Sequence, residues 1–135
     1  MIQWKIHLAS PPELVYNLVA SDEGRASFWA EAAPERDGYV EFAFPGGLSW
    51  RGQILAEEPP RTFALRYYGD TEVRFSLADD GSGGCDLTVT DTADDAETRA
   101  GWVSVLLALK AAADFGVDLR NHDPARTWNA GYADN

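Results

Sequence analysis

The stretch LSWRGQILAEEPPRTFALRYYGDTEVRFSL, residues 48–77, decides the fold. Leu48, Trp50, Gly52, Ile54 and Ala56 recur at every second position with Arg51 and Gln53 between them. That period of two predicts a long strand with one buried face. Pro59-Pro60 stops it, since proline cannot donate to a ladder. The chain returns with Phe63, Leu65 and Tyr67 on one side and turns at Gly69-Asp70. It then runs out again through Val73, Phe75 and Leu77. Strands of this length joined by tight turns form an antiparallel meander, which curls.

Outward from this stretch the same punctuation continues. Gly38 leads into a strand over Tyr39–Phe44, and Pro45-Gly46-Gly47 makes a turn. Downstream, Asp79-Asp80-Gly81-Ser82-Gly83-Gly84 is a hairpin loop, and Leu87 and Val89 mark the last strand. At the amino end Ile2, Trp4, Ile6 and Leu8 alternate with Gln3, Lys5 and His7, which predicts another strand. Ser10, Pro11 and Glu13 have the spacing of a capping box, so a helix is expected to about Ala20 with Leu14, Val15 and Leu18 as its stripe. Ser21 or Asp22 caps a second short helix through Ala26, and Phe28 and Trp29 follow as packing anchors.

Glu97 opens the strongest helix, running to about Phe115. Its inner face carries Trp102, Val105, Leu106, Leu109, Ala112 and Ala113. Val103 and Leu107 make the other side apolar as well, so the tail, a cavity rim or a second subunit must cover it. Gly116 suits the helix end. The expected architecture is α+β. It has a curved antiparallel sheet of about six or seven strands around a long C-terminal helix, with two short helices after the first strand. Residues 1–116 form this domain, and 117–135 form a polar tail that packs on it or on a partner through Trp128 and Tyr132.

Composition narrows the function. Twenty-two acids against eleven bases give a net charge of −11 over 135 residues. A net-acidic surface without a Lys/Arg cluster is repelled by nucleic acid and by anionic membranes. No apolar run reaches the roughly 20 residues that span a bilayer. Between Asp70 and Glu97 nine acids face only Arg74, so eight of the eleven net charges fall there. They read as solvated turns and outer strand faces, and the stretch lacks the ligand ladder of a calcium loop. The alternating amino terminus is not a signal peptide, and the single Cys85 can form no internal disulfide. Both features fit a reducing cytoplasm. His7 and His122 have no partner at metal-ligand spacing, so neither a metal nor a cofactor is expected.

Several segments carry a resemblance. Ser10-Pro11-Pro12-Glu13-Leu14-Val15-Tyr16, Ser21-Asp22-Glu23-Gly24 with Phe28-Trp29, Gly52-Gln53-Ile54 followed by Glu57-Glu58-Pro59-Pro60, and Gly101-Trp102 with Leu106 and Leu109-Lys110 stand in one order across nearly the whole chain. In that order the chain resembles the START-like (SRPBCC, helix-grip, Bet v 1-like) superfamily. Within it, the resemblance is to the C-terminal-domain family of the activator of Hsp90 ATPase, a setting of stress response. The eukaryotic co-chaperone has a large preceding domain for which this chain has no counterpart, so Hsp90 activation is not carried over.

The resemblance implies a cavity between the long helix and the concave sheet. By strand parity and helix stripe, Trp4, Phe42, Trp50, Ile54, Phe63, Tyr67, Phe75, Trp102, Leu106 and Leu109 face it. Aromatic bulk on this scale is enough to fill the core and leave only a small pocket. No nucleophile stands beside a base. Glu41, Glu57, Glu72, Arg51, Arg66 and Arg74 fall on outward parities, although a bulge would turn Arg51, Arg66 or Glu72 toward the cavity mouth. Tyr67 and Tyr68 have hydroxyls able to anchor a ligand. The leading reading is a non-catalytic protein that binds a small hydrophobic or amphipathic ligand. Two alternatives stand beside it: an interaction, co-chaperone-like or homodimerising module, and a polyketide cyclase-like enzyme.

Overall fold

The computed structural model describes residues 1–135. Its elements are β1 (Ile2–Leu8), α1 (Pro12–Ala20), α2 (Asp22–Phe28), β2 (Glu35–Arg36), β3 (Tyr39–Ala43), β4 (Ser49–Glu58), β5 (Thr62–Arg66), β6 (Glu72–Asp79), β7 (Cys85–Asp91) and α3 (Ala96–Phe115). The strands form one antiparallel sheet in the order β1-β7-β6-β5-β4-β3-β2. The first strand lies against the last, with Trp4 opposite Val89. The seventh strand is the two-residue β2, too short to leave a period in the sequence.

Five local readings change in the structure. Ser10 does not cap α1: the residue before this helix is Pro11, with no side-chain cap. Ser10 instead donates its hydroxyl to Asp114 at 2.7 Å and to the Ala113 carbonyl at 2.9 Å, tying the start of α1 to the end of α3. The buried face of α1 is Pro12, Val15, Tyr16 and Val19, and Leu14 is exposed. Ser21 caps α2, which runs on to Phe28. Asp95 caps α3, which starts one residue before Glu97.

The fifth change concerns β4. Ile54 stands opposite Leu65 but Ala56 stands opposite Ala64, so Leu55 is an extra residue in the strand. Such a bulge reverses the parity beyond it. Glu57 therefore lies opposite the buried Phe63 and not on the outer face, and its charge helps to raise the pKa of Tyr16, after the larger effect of burial.

The tail folds onto its own chain. Arg120 donates to the Ala26 and Ala30 carbonyls at 2.7 Å, closing the end of α2. The His122 ring bridges Glu31 and Asp118, each at 2.7 Å. Its pKa is raised by those hydrogen bonds, to Asp118 first and then to Glu31. Trp128 donates its indole N–H to Glu97 and lies against Gly101 on α3. Even so, Leu107 remains 51% exposed and Leu119 52%. No helix is long and apolar enough to cross a membrane.

Candidate functional site

The concave face of the sheet carries a continuous chain of rings. Trp102 on α3 lies 5.4 Å from Tyr67, and Tyr67 lies 5.1 Å from Trp50 on β4. Phe42 packs against Tyr67 at 5.3 Å, and Phe75 against Trp102 at 5.8 Å. Trp29, just after α2, touches Phe42, Tyr67, Phe75 and Trp102 at 4.9–5.9 Å. The space between Trp102 and Trp50 is thus occupied by side chains.

Of the residues expected to face a cavity, Phe42, Trp50, Tyr67, Phe75 and Trp102 come together here. Phe63 lies elsewhere in the core, edge-on to Tyr16 under α1. Trp4 is half-buried, donating to the Arg99 carbonyl with the Arg99 guanidinium over its ring at 4.7 Å. Leu106 and Leu109 are buried on α3, and Ile54 is half-buried against the core. Trp29, the hub of the ring cluster, was legible only as a packing anchor.

The three indoles within the cluster differ in their polar partners. Trp29 donates to the Tyr67 hydroxyl at 2.9 Å. Burial pushes the Tyr67 phenol well above its ordinary range, with a lesser contribution from the charge of Asp91. Trp102 donates to Asp91 Oδ2 at 2.8 Å, and Asp91 Oδ1 accepts the Ala93 N–H at 2.9 Å. Asp91, 1% exposed, is therefore not one of the solvated acids: parity on β7 turns it inward beside Val89, and two N–H groups satisfy it. Trp50 Nε1 is buried and has no partner at all.

Trp50 stands where the sheet parts. The β4–β5 pairing extends only from Ile54 to Glu58, while Trp50 and Gly52 pair with β3 alone. Past Arg66 the chain turns through Tyr68–Asp70, with Gly69 at φ 70° and Asp70 at φ 61°. A side chain at Gly52 would stand 1.8 Å from the Arg66 carbonyl oxygen, so only glycine lets the end of β5 lie this close. The resulting cleft holds about 400 Å³ and is bordered by Tyr39, Trp50, Arg51, Gln53, Arg66, Tyr67 and Asp70. Arg51 and Arg66 keep their outer parity, as do Tyr39 and Gln53, so most of the wall of this cleft belongs to the outer face of the sheet. Glu72 does not take part and pairs with Arg74 at 3.8 Å. A second cleft, of about 220 Å³, lies outside the sheet between Trp29, α3 and the tail, with Leu107, Leu119 and Asn135 in its wall.

No reactive group is poised elsewhere. No hydroxyl or thiol is bonded to a histidine. Burial, then the charges of Asp114, Asp80, Asp86 and Asp79, pushes the Cys85 thiol up to about 11 and keeps it protonated. No three His, Cys, Asp or Glu side chains are grouped as a metal site.

Comparison with solved structures places this geometry. The X-ray structure of SSP2350 from Staphylococcus saprophyticus matches with a TM-score of 0.78 and 22% identity, over 88% of this chain and 95% of that one. The solution structure of the Aha1 dimer from Colwellia psychrerythraea matches with a TM-score of 0.73 and 22% identity, over 85% and 96%. The chain thus shares the helix-grip fold of the Colwellia Aha1. DynU16, from the dynemicin biosynthetic locus, shares it with a TM-score of 0.75 and 19% identity over 87% of this chain. This chain spans about half of DynU16, 48% of its length. At these identities the likeness is one of fold. No family model matches the chain, and neither does any curated protein.

Proposed function

We propose that the protein binds a small hydrophobic or amphipathic molecule, without transforming it, at the aromatic mouth beside Trp50 and Tyr67. The observation that carries this reading is the Trp50 indole N–H, buried and without an acceptor. A buried donor left unpaired costs about 1–3 kcal/mol, and native proteins keep few of them. Trp50 is among the residues that border a cleft, whereas the indoles of Trp29 and Trp102 are both paired within the core. The site lies at an opening of the sheet and not deep under the long helix, because rings fill that space. The helix-grip fold is compatible with binding and with catalysis, and here the lack of a nucleophile–base pair favours binding.

Native mass spectrometry with 2-naphthol, indole and octanol tests the proposal. A one-to-one adduct with at least one of them is expected, weakened in Trp50→Phe. Failure of all three to bind would remove it.

A second reading, association with another copy of the chain, is favoured by the apolar strip of Val103, Leu107 and Leu119 left exposed on the outer side of α3 and the tail. The Colwellia Aha1 of the same fold was solved as a dimer. Sedimentation at micromolar concentration should give a dimer that Leu107→Asp dissociates; a monomer throughout would dispose of this reading.

A further inference from the structure

We infer that the mouth selects a planar aromatic anion, such as an aryl carboxylate, with its charged head between Arg51 and Arg66. This rests on the binding reading above and adds the ligand's chemical class. The chain has twice as many acids as bases, so most of its cations have a carboxylate close by. Arg36, Arg74, Arg120 and Lys110 pair with Glu41, Glu72, Asp118 and Asp114 at 3.1, 3.8, 3.0 and 3.2 Å.

Arg51 has no carboxylate within 4.0 Å: Glu41, its cross-strand neighbour, pairs with Arg36 instead. Its guanidinium lies 4.2 Å over the Tyr39 ring. Held there by the cation–π attraction, it keeps N–H groups that no carboxylate of the protein takes up and that an oxyanion can accept from. Arg66 has the Asp70 carboxylate at 3.9 Å and donates to the Asp70 carbonyl at 3.5 Å. Lys5, Arg61 and Arg99 also lack a close carboxylate, but they do not border this cleft.

The hydrogen-bonding sense points the same way. An indole N–H and a guanidinium donate and cannot accept. Trp50, Arg51 and Arg66 therefore all ask the ligand for an acceptor, and a carboxylate meets a guanidinium with two parallel bonds. The one opposing charge is the Asp70 carboxylate, which is 87% exposed at the rim and screened by solvent. Tyr39, Trp50 and Tyr67 border the cleft and give a flat apolar body an aromatic wall. Tyr68 covers Trp50 from outside, with its ring at 5.1 Å and 60% exposed. Of the rings packed on Trp50 it is the most exposed, so it is the one that moves aside when an acceptor reaches Nε1.

Calorimetric titration with 2-naphthoate, 2-naphthamide and 2-naphthylmethylammonium tests the inference on the intact chain. Naphthoate is expected to bind about tenfold tighter than the neutral amide, with the ammonium weakest. Arg51→Gln and Arg66→Gln should each erode that preference, and an unchanged midpoint in urea reports that the variants are folded. Equal affinity for the three ligands would overturn the charge selection and leave the binding reading standing. Tighter binding of the ammonium would overturn it too, by giving Asp70 control of the site. Absence of binding by all three would overturn both.

Discussion

Trp102 and Trp50 occupy opposite ends of one chain of rings, with Tyr67 between them. Around Trp102 the sheet is fully paired, β1 to β7 to β6, and the indole N–H meets Asp91. Around Trp50 the sheet has lost β5 as a neighbour, and the indole N–H meets nothing. The same residue type thus stands in a closed end, where each polar group has a partner inside the protein, and in a parted end, where one does not. The closed end is built for stability. The parted end keeps a vacancy for an acceptor from outside.

Breaking the closed end should have the largest effect. Asp91→Ala leaves the Trp102 indole and the Ala93 amide unpaired. Each orphaned buried donor costs about 1–3 kcal/mol, so urea denaturation should show a loss of about 3 kcal/mol. An unchanged midpoint would mean that Asp91 does not hold this end together.

Altering the parted end should cost somewhat less. In Gly52→Ala the new methyl meets the Arg66 carbonyl oxygen at 1.8 Å and must push the end of β5 away. Overpacking of this kind costs about 1–3 kcal/mol. Hydrogen exchange should accelerate at residues 66–71 and stay unchanged in β7. Equal acceleration in both regions would show that the two ends are not independent.

Legibility in the sequence follows the same division. The meander, the long helix and the return of β1 to β7 were readable because period two and period 3.6 run unbroken there. Asp91 was half-readable: it continues the inward parity of Leu87 and Val89, but a carboxylate is seldom fully buried unless paired, and its partner lies on another element. The parted end was not readable in this way. The bulge at Leu55 leaves no mark in composition and reverses the parity beyond it. The orientation of Trp29 depends on the loop after α2, where no period applies. Arg51 and Arg66 reach the cleft because two strands diverge, a property of the sheet and of neither strand alone.

Acid should test a third place, the junction between the end of α3 and the end of β1. Asp114 lies at the end of α3, against the turn that leaves β1. Burial by itself would raise its pKa, but the Ala9 N–H, the Ser10 hydroxyl and N–H and the Lys110 ammonium together hold it down to about 2 from an ordinary 3.8. The folded value lies below the unfolded one, so this contribution is complete above about pH 4 and is lost as pH falls through 2. With its side chain 4% exposed, the shift corresponds to about 2 kcal/mol. Asp114→Asn should flatten the fall in stability between pH 4 and pH 2. A mutant with the same acid profile as the parent would assign that fall to other carboxylates.

The smallest expected effect on stability is the most discriminating. Trp102→Phe and Trp50→Phe make the same substitution at the two ends of the ring chain. At Trp102 it removes a donor that Asp91 uses and strands a buried carboxylate oxygen, which costs about 1–3 kcal/mol. At Trp50 it removes a donor that nothing uses, so the loss of ring contact is offset by relief of the unpaired N–H. Trp50→Phe should therefore lie within about 0.5 kcal/mol of the parent in denaturant while its affinity for an acceptor-bearing aromatic falls. If it were as destabilised as Trp102→Phe, the Trp50 indole would be serving the fold, and the contrast between a closed and a parted end would collapse. A stable variant with weakened binding would locate the unmade bond of the free protein in its complex.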